Sequence, residues 1–246
     1  MFEGRFDGYD IAMASVFTKP PIPTGARPVP SLANGDRLTL AEFERRYAAM
    51  PDGTKAELIE GVVYMAPPVR LEAHGNPHFT LIAWLGHYVA KTPGLIGCDN
   101  GTVRLSHENE LQPDVSLILP VHVSGRSTTD ASGYVASPPA LVCEIAASSV
   151  NIDLHNKKEV YRRHGVQEYL VWRTEDAAID WFSLEAGDFV PIPPKEDGTL
   201  CSKTFPGLCL RPSSLLAADL PALFALLDNT TATPEHADFV ARLARS

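Results

Sequence analysis

Three acidic residues occupy positions where a carboxylate is expensive. Asp114 opens an apolar run directly after Pro113, Glu144 stands between Cys143 and Ile145 inside another, and Glu57 lies between Ala56 and Leu58. A charge buried in such a strand is costly unless it is paired or holds a cation. Taken singly, each acid is explained by a cap or by a nearby Arg or Lys. Taken together, adjacent strands can bring all three to one point. Downstream of Glu144 a helix begins Asp153-Leu154-His155-Asn156-Lys157-Lys158, and Lys157 shares a helix face with Tyr161. The ordinary meaning of such a lysine is a solvated side chain. Carboxylates converging on a divalent ion beside an amine, however, have a specific chemistry. Hard oxygen ligands bind magnesium, with manganese able to substitute. The ion polarises a phosphodiester and acidifies a water, while an ammonium positions that water and offsets charge developing on the phosphorane.

The elements that must place these groups can be read from periodicity and breakers. Residues 1–37 hold Lys19-Pro20-Pro21-Ile22-Pro23 and Arg27-Pro28-Val29-Pro30 and read as a loosely packed, proline-rich extension, with order expected from Leu38. Thr39 and Glu42 form a capping-box pattern before Leu40, Phe43 and Tyr47. Ala56–Met65 reads as a hairpin turning at Glu60-Gly61. A helix is expected from Glu72 to Lys91, with Pro77 marking a late start or a kink. Val103–Leu105, Asp114–Leu119 and Ala140–Ala146 read as strands, the last two dense enough to be central, with a loop over 124–137. Helix over Asp153–His164 ends at Gly165; strands follow at Glu168–Arg173, Ile179–Leu184 and Phe189–Ile192. Ser213–Ser246 reads as two short helices. The order αββαβββαβββ followed by α predicts an α/β fold, a mixed sheet flanked by helices.

Composition narrows the classes. The chain has 246 residues, 45% of them hydrophobic and 21% charged, which suits one substantial core. Its 21 Lys+Arg against 30 Asp+Glu give a net charge of -9, so any nucleic-acid contact must come from a local basic patch. Residues 153–173 are the candidate, with Lys157, Lys158, Arg162, Arg163 and Arg173; a mixed-charge surface helix is the commoner meaning of such a run. Trp172 and Trp181 fall on strand patterns and read as core. No apolar run is long enough to span a bilayer. The acidic first ten residues do not resemble a secretory leader, and Cys98, Cys143, Cys201 and Cys209 lack metal-ligand spacing. Reduced thiols and a cytoplasmic location are therefore expected.

Five strings then acquire a joint meaning. Glu57-Leu58-Ile59-Glu60-Gly61, Gln112-Pro113-Asp114-Val115, Glu144-Ile145-Ala146-Ala147-Ser148, Lys157 with Tyr161, and Gly165-Val166-Gln167-Glu168-Tyr169 resemble, in order and spacing, the Uma-two family of the PD-(D/E)XK nuclease superfamily. The resemblance covers roughly residues 38–193. It implies a restriction-endonuclease-like core with a sheet of about four strands, flanked by the extension 1–37 and a C-terminal extension 194–246, that cuts DNA with magnesium. Carried over residue by residue, it implies that Asp114, Glu144 and the further ligand Glu57 hold the metal, and that Lys157 is the catalytic lysine, with Lys158 its rival. It also implies supporting roles for Gln112, Tyr161 and His74. The superfamily's usual lysine position is here Ala146, so the ammonium must arrive from the following helix. Such an enzyme often pairs its active sites, making a homodimer an expectation. Two rival readings remain: a nuclease-fold module that binds without cutting, suggested by Ala146 and the net acidity, and a carboxylate-pair glycosidase, against which stands the lack of a sugar-binding aromatic stripe.

Overall fold

The computed structural model describes residues 28–124 and 129–245. Helix α1 (Leu40–Tyr47) is capped by Thr39, which accepts from Glu42 N. The other half of the capping box does not form, because the Glu42 carboxylate is taken by the guanidinium groups of Arg45 and Arg46, stronger donors than a backbone amide. Strands β1 (Ala56–Ile59) and β2 (Val62–Met65) make the expected hairpin. Its turn needs two residues with positive φ, supplied by Glu60 (52°) and Gly61 (73°). Residues 31–37 lie beside β2, with Gly35 N donating to Val63 O and Val63 N to Asp36 O, and Leu32 is buried. Order therefore starts earlier than Leu38; the proline-rich strings upstream fall largely outside the described residues.

Leu71–Gly75 forms one π-helical turn, and helix α2 (Asn76–Lys91) follows. Pro77 marks a late start, in the first α-turn where its missing N–H is not needed. Leu81, Trp84, Leu85 and Tyr88 are the buried face at helical spacing. Strands β3 (Ile96–Asp99), β4 (Val103–Ser106), β5 (Asn109–Leu111) and β6 (Val115–Ile118) lead to the short α3 (Val121–Ser124). The loop expected over 124–137 lies partly outside the described residues. Strand β7 (Leu141–Ala146), a π-helical segment (Ile152–Lys157) running into α4 (Lys158–His164), and β8 (Glu168–Arg173) make a crossover unit. Gly165 closes α4 in the left-handed conformation, as expected. Then come β9 (Ala178–Glu185), β10 (Asp188–Pro191), β11 (Leu200–Cys201) and β12 (Cys209–Leu210). Helices α5 (Pro212–Leu216), α6 (Leu220–Thr231) and α7 (Pro234–Leu243) end the chain. The C-terminal helices number three rather than two, because the chain turns at Ala218 (φ 51°) and Asp219 caps a fresh start.

The mixed sheet has six strands rather than about four, in the order β10-β9-β8-β7-β6-β3. Only β7 and β8 run parallel, which is why a helical crossover must join them. A separate antiparallel sheet has the order β2-β1-β5-β4. The chain passes between sheets at Gln112-Pro113-Asp114, where proline withholds the amide a ladder would use. Every residue of β7 is buried, as its apolar run predicts. Trp84, Trp172 and Trp181 share the main core with Leu208, Leu215, Leu223 and Phe239, so the segment after residue 193 packs into the same core.

Cys201 and Cys209 face each other across β11–β12 and are joined in a disulfide. This corrects the expectation of four reduced thiols: antiparallel pairing, invisible in the spacing, sets the two sulfurs side by side. Cys143 is a buried free thiol, as expected. Among the described residues, no helix is long and apolar enough to cross a membrane.

Glu168 on β8 is fully buried and accepts from Trp181 Nε1, Ser202 Oγ and the amides of Lys203 and Thr204. It ties the sheet to the loop between β11 and β12 with dipoles alone. Replacing it with alanine leaves buried donors unpaired, and Glu168→Ala is expected to cost about 3 kcal/mol in a urea unfolding titration.

Candidate active site

The acids meet where the two sheets abut. Asp114 precedes β6, whose Val115 pairs with Cys143 of β7, so Asp114 stands opposite Glu144 in the continued register. Asp114 Oδ2 accepts from Ile145 N at 2.8 Å, fixing its carboxylate against β7. Glu57 comes from β1, and its Oε1 accepts from Gln112 N at 2.8 Å across the inter-sheet corner. Gln112 in turn donates its side-chain amide to Tyr47 Oη at 3.0 Å.

Lys157 reaches this point from the crossover. Its Nζ lies 2.8 Å from Glu57 Oε2, 3.1 Å from Glu144 Oε1 and 3.6 Å from Asp153 Oδ1. Only 6% of Lys157 is exposed, so these contacts are made largely out of water. Lys157 Nζ thus reaches Glu144, whereas Ala146 carries no amine. The rival, Lys158, points elsewhere: its Nζ sits 3.5 Å over the Phe182 ring. Tyr161 Oη donates to Glu144 Oε1 at 3.0 Å, the contact its four-residue spacing from Lys157 foreshadows.

Asp153 belongs to the cluster, although only its place at the helix start is evident from sequence. It is 2% exposed, accepts from Ser149 Oγ at 2.5 Å, and its backbone carbonyl accepts from Tyr169 Oη at 3.0 Å. The signal that could have found it is the spacing Asp153-x-x-x-Lys157, one helical turn. His74, on the π-turn before α2, places Nε2 3.4 Å from Asp114 Oδ1. Its neighbour His78 places Nε2 3.1 Å from both Asp99 Oδ1 and the Asp114 carbonyl.

The electrostatics follow from burial against pairing. Burial pushes the Glu144 carboxyl well above the ordinary value, with Lys157 only partly opposing it. Asp153 is raised for the same reason. Burial also raises Asp114, but the hydrogen bond and charge of His74, the Ile145 amide and Lys157 outweigh it and leave Asp114 below the usual range. For Lys157, burial opposes the charge, yet Glu144, Glu57 and Asp153 overcome it and hold the ammonium well above an ordinary lysine. His74 is raised by its hydrogen bond to Asp114.

These groups floor a cleft of about 700 Å³ that Lys55, Tyr64, Val69 and Arg70 also line. The basic run on 153–173 is not a free patch. Lys157 is buried, Arg162 pairs with Glu159, Arg163 with Glu60, and Arg173 with Asp176 and Asp180. The mixed-charge helix is what the sequence becomes, because acids one turn away or across the hairpin consume the guanidinium groups.

A six-stranded mixed sheet flanked by helices, with acids on adjacent strands facing a cleft, defines a restriction-endonuclease-like fold. Residues 40–213, more than half of the chain, match the Uma2 family, described as "Putative restriction endonuclease", and the chain belongs to that family. The crystal structure of "a putative nuclease belonging to DUF820" from Anabaena variabilis ATCC 29413 is similar to it, with a TM-score of 0.58 and 15% identity. The match covers 74% of this chain and 98% of that one. No curated protein matches the chain.

Two expectations follow. Lys157→Met strands the buried carboxylates of Glu144 and Asp153 and the half-buried one of Glu57, and is expected to lower stability by about 3–5 kcal/mol at neutral pH. The deficit shrinks in acid as the acids protonate, which unfolding titrations at several pH values would register. For the His74–Asp114 pair the signs differ by partner. The raised His74 contributes stability that is complete below its unfolded value of 6.5 and is lost as pH rises through its folded value. The lowered Asp114 contributes above 3.8 and loses it in acid. The stability gap between wild type and His74→Gln should therefore be widest between these values and close in alkali.

Proposed function

We propose that the chain hydrolyses DNA phosphodiester bonds at this cleft, with a divalent ion, magnesium or manganese, held by Asp114 and Glu144. The observation that carries the reading is the gathering of Glu57, Asp114, Glu144 and Asp153 from separate elements around one buried ammonium. The donor set suits a hard cation. The carboxylates of Glu57, Asp114, Glu144 and Asp153 that line the cleft offer hard oxygen donors of the kind magnesium takes. Among the described residues no three His, Cys, Asp or Glu side chains form a ready-made ligand shell, so two side chains are assigned to the ion. Glu57, expected as a further ligand, has Oε1 on the Gln112 amide and Oε2 on Lys157, and joins the ion only if Lys157 yields.

A divalent ion bound here would polarise the scissile phosphate and lower the pKa of a nearby water. The chain's own groups divide the remaining work. Lys157, held protonated, cannot serve as a base; its positive charge beside the cleft offsets the negative charge that develops on the phosphate. Glu57 and Asp153 aim the ammonium, and Tyr161 orients Glu144. His74 and the Ile145 amide hold Asp114 in its ionised form. A second reading, a module that binds DNA without cutting, is favoured by one observation: Lys157 already pairs with three acids of the cluster.

The purified chain is expected to nick supercoiled plasmid with magnesium or manganese. Asp114→Asn should lower the rate by about a hundredfold or more while keeping the wild-type circular dichroism spectrum. Titration calorimetry separates the readings without relying on turnover. Heat from manganese binding that disappears in Asp114→Asn supports the nuclease, whereas no metal binding at millimolar concentration supports the binding module.

A further inference from the structure

The cleft has an apolar side that the acids do not explain. Tyr64, Pro67, Pro68 and Val69 line it together with the carboxylates. Val69 is 63% exposed, and the strip continues outward to Leu71 at 76% and Phe79 at 65%, the three most exposed large hydrophobic side chains among the described residues. Val69 Cγ1 and Leu71 Cδ1 both lie within 4.0 Å of the point where a side chain on Gly75 would begin. Phe79 follows one helical turn further along that face. Lys55 and Arg70 line the same cleft, and neither forms an ion pair among the described residues; Lys55 bonds instead to Asn100 Oδ1.

A duplex presents phosphates outward and hides its bases. Proteins that grip one commonly neutralise about 6–10 phosphates, and exposed apolar side chains gain nothing from that surface. This chain carries a net charge of -9, its helical guanidinium groups are spent on local acids, and two unpaired cations border the cleft. An unpaired strand offers different chemistry: base faces that stack on an aromatic ring such as that of Phe79, and a backbone with about half the duplex's linear charge for cations to hold.

We propose that the site takes DNA as an unpaired strand, with bases packed on Val69, Leu71 and Phe79 and the backbone held by Lys55 and Arg70. The inference rests on the nuclease reading and names its substrate class. The strip is continuous with the candidate active site through Val69 and Arg70, which places the packed bases next to the phosphate to be cut.

The test measures binding and cutting separately on the full chain. Fluorescence anisotropy in EDTA compares a short fluorescein-labelled single strand with a hairpin duplex of the same sequence. The single strand is expected to bind about tenfold tighter or more, and Phe79→Ala to weaken it by about fivefold to a hundredfold with melting temperature unchanged. Arg70→Ala should weaken binding and flatten its salt dependence. Equal or tighter duplex binding, or no effect of Phe79→Ala, overturns the proposal. So does a wild-type dimer in size-exclusion chromatography that Phe79→Ala converts to monomer, since the strip would then be a contact between copies. A single-strand preference without cleavage under magnesium or manganese keeps the inference and removes the nuclease reading. Cleavage of both forms at one rate, with equal binding, does the reverse.

Discussion

The ammonium of Lys157 is the charge around which three acids of the cleft are arranged. Glu57 belongs to the antiparallel sheet, Glu144 to the mixed sheet and Asp153 to the π-helical segment, and each is drawn to the same nitrogen. Without that cation, mutual repulsion and lost hydration would oppose docking the two sheets and the crossover. Packing and chemistry are therefore not separable here. The contacts that let the acids come together also fix where their oxygens meet the cleft.

Burial alone does not mark the site, and the contrast between two glutamates explains why. Glu168 and Glu144 lie on adjacent strands, and both are almost wholly buried. Around Glu168 the partners are two backbone amides, a serine hydroxyl and an indole, which satisfy its oxygens and leave no cation nearby. Around Glu144 they are an ammonium and a phenol, with Asp114 opposite. The first arrangement is closed and holds a loop; the second opens to a cleft and keeps charge in reserve.

Much of this was legible in the residues. Asp114 and Glu144 stood out because apolar neighbours on both sides leave a carboxylate nothing to do but bond, and the spacing of Lys157 from Tyr161 placed both on one face. What stayed hidden has physical causes. Asp153 read as a helix start because acids are common there. The short π-helical segment leaves no periodic trace, and at its junction with α4 Lys157 is buried while Lys158 lies over Phe182. Strand β5 has three residues, too few to show alternation, and β11 and β12 have two each. The Cys201–Cys209 bond depends on a pairing that no local pattern specifies. The basic run left two meanings open, because charge content says nothing about which acids the fold brings alongside.

The division of the acids between two sheets gives them unequal stiffness. Asp114, just ahead of β6, is bonded to the Ile145 amide of β7, and Glu144 lies on β7, so their separation is held by the ladder between β6 and β7. Glu57 rides on the hairpin sheet, tethered through the corner at Gln112. A rotation of that sheet about this corner would move Glu57 relative to the other two and leave their spacing alone. Tyr64 of β2 lines the cleft and is the cross-strand partner of Glu57, so whatever seats against that ring stands directly beside the third carboxylate.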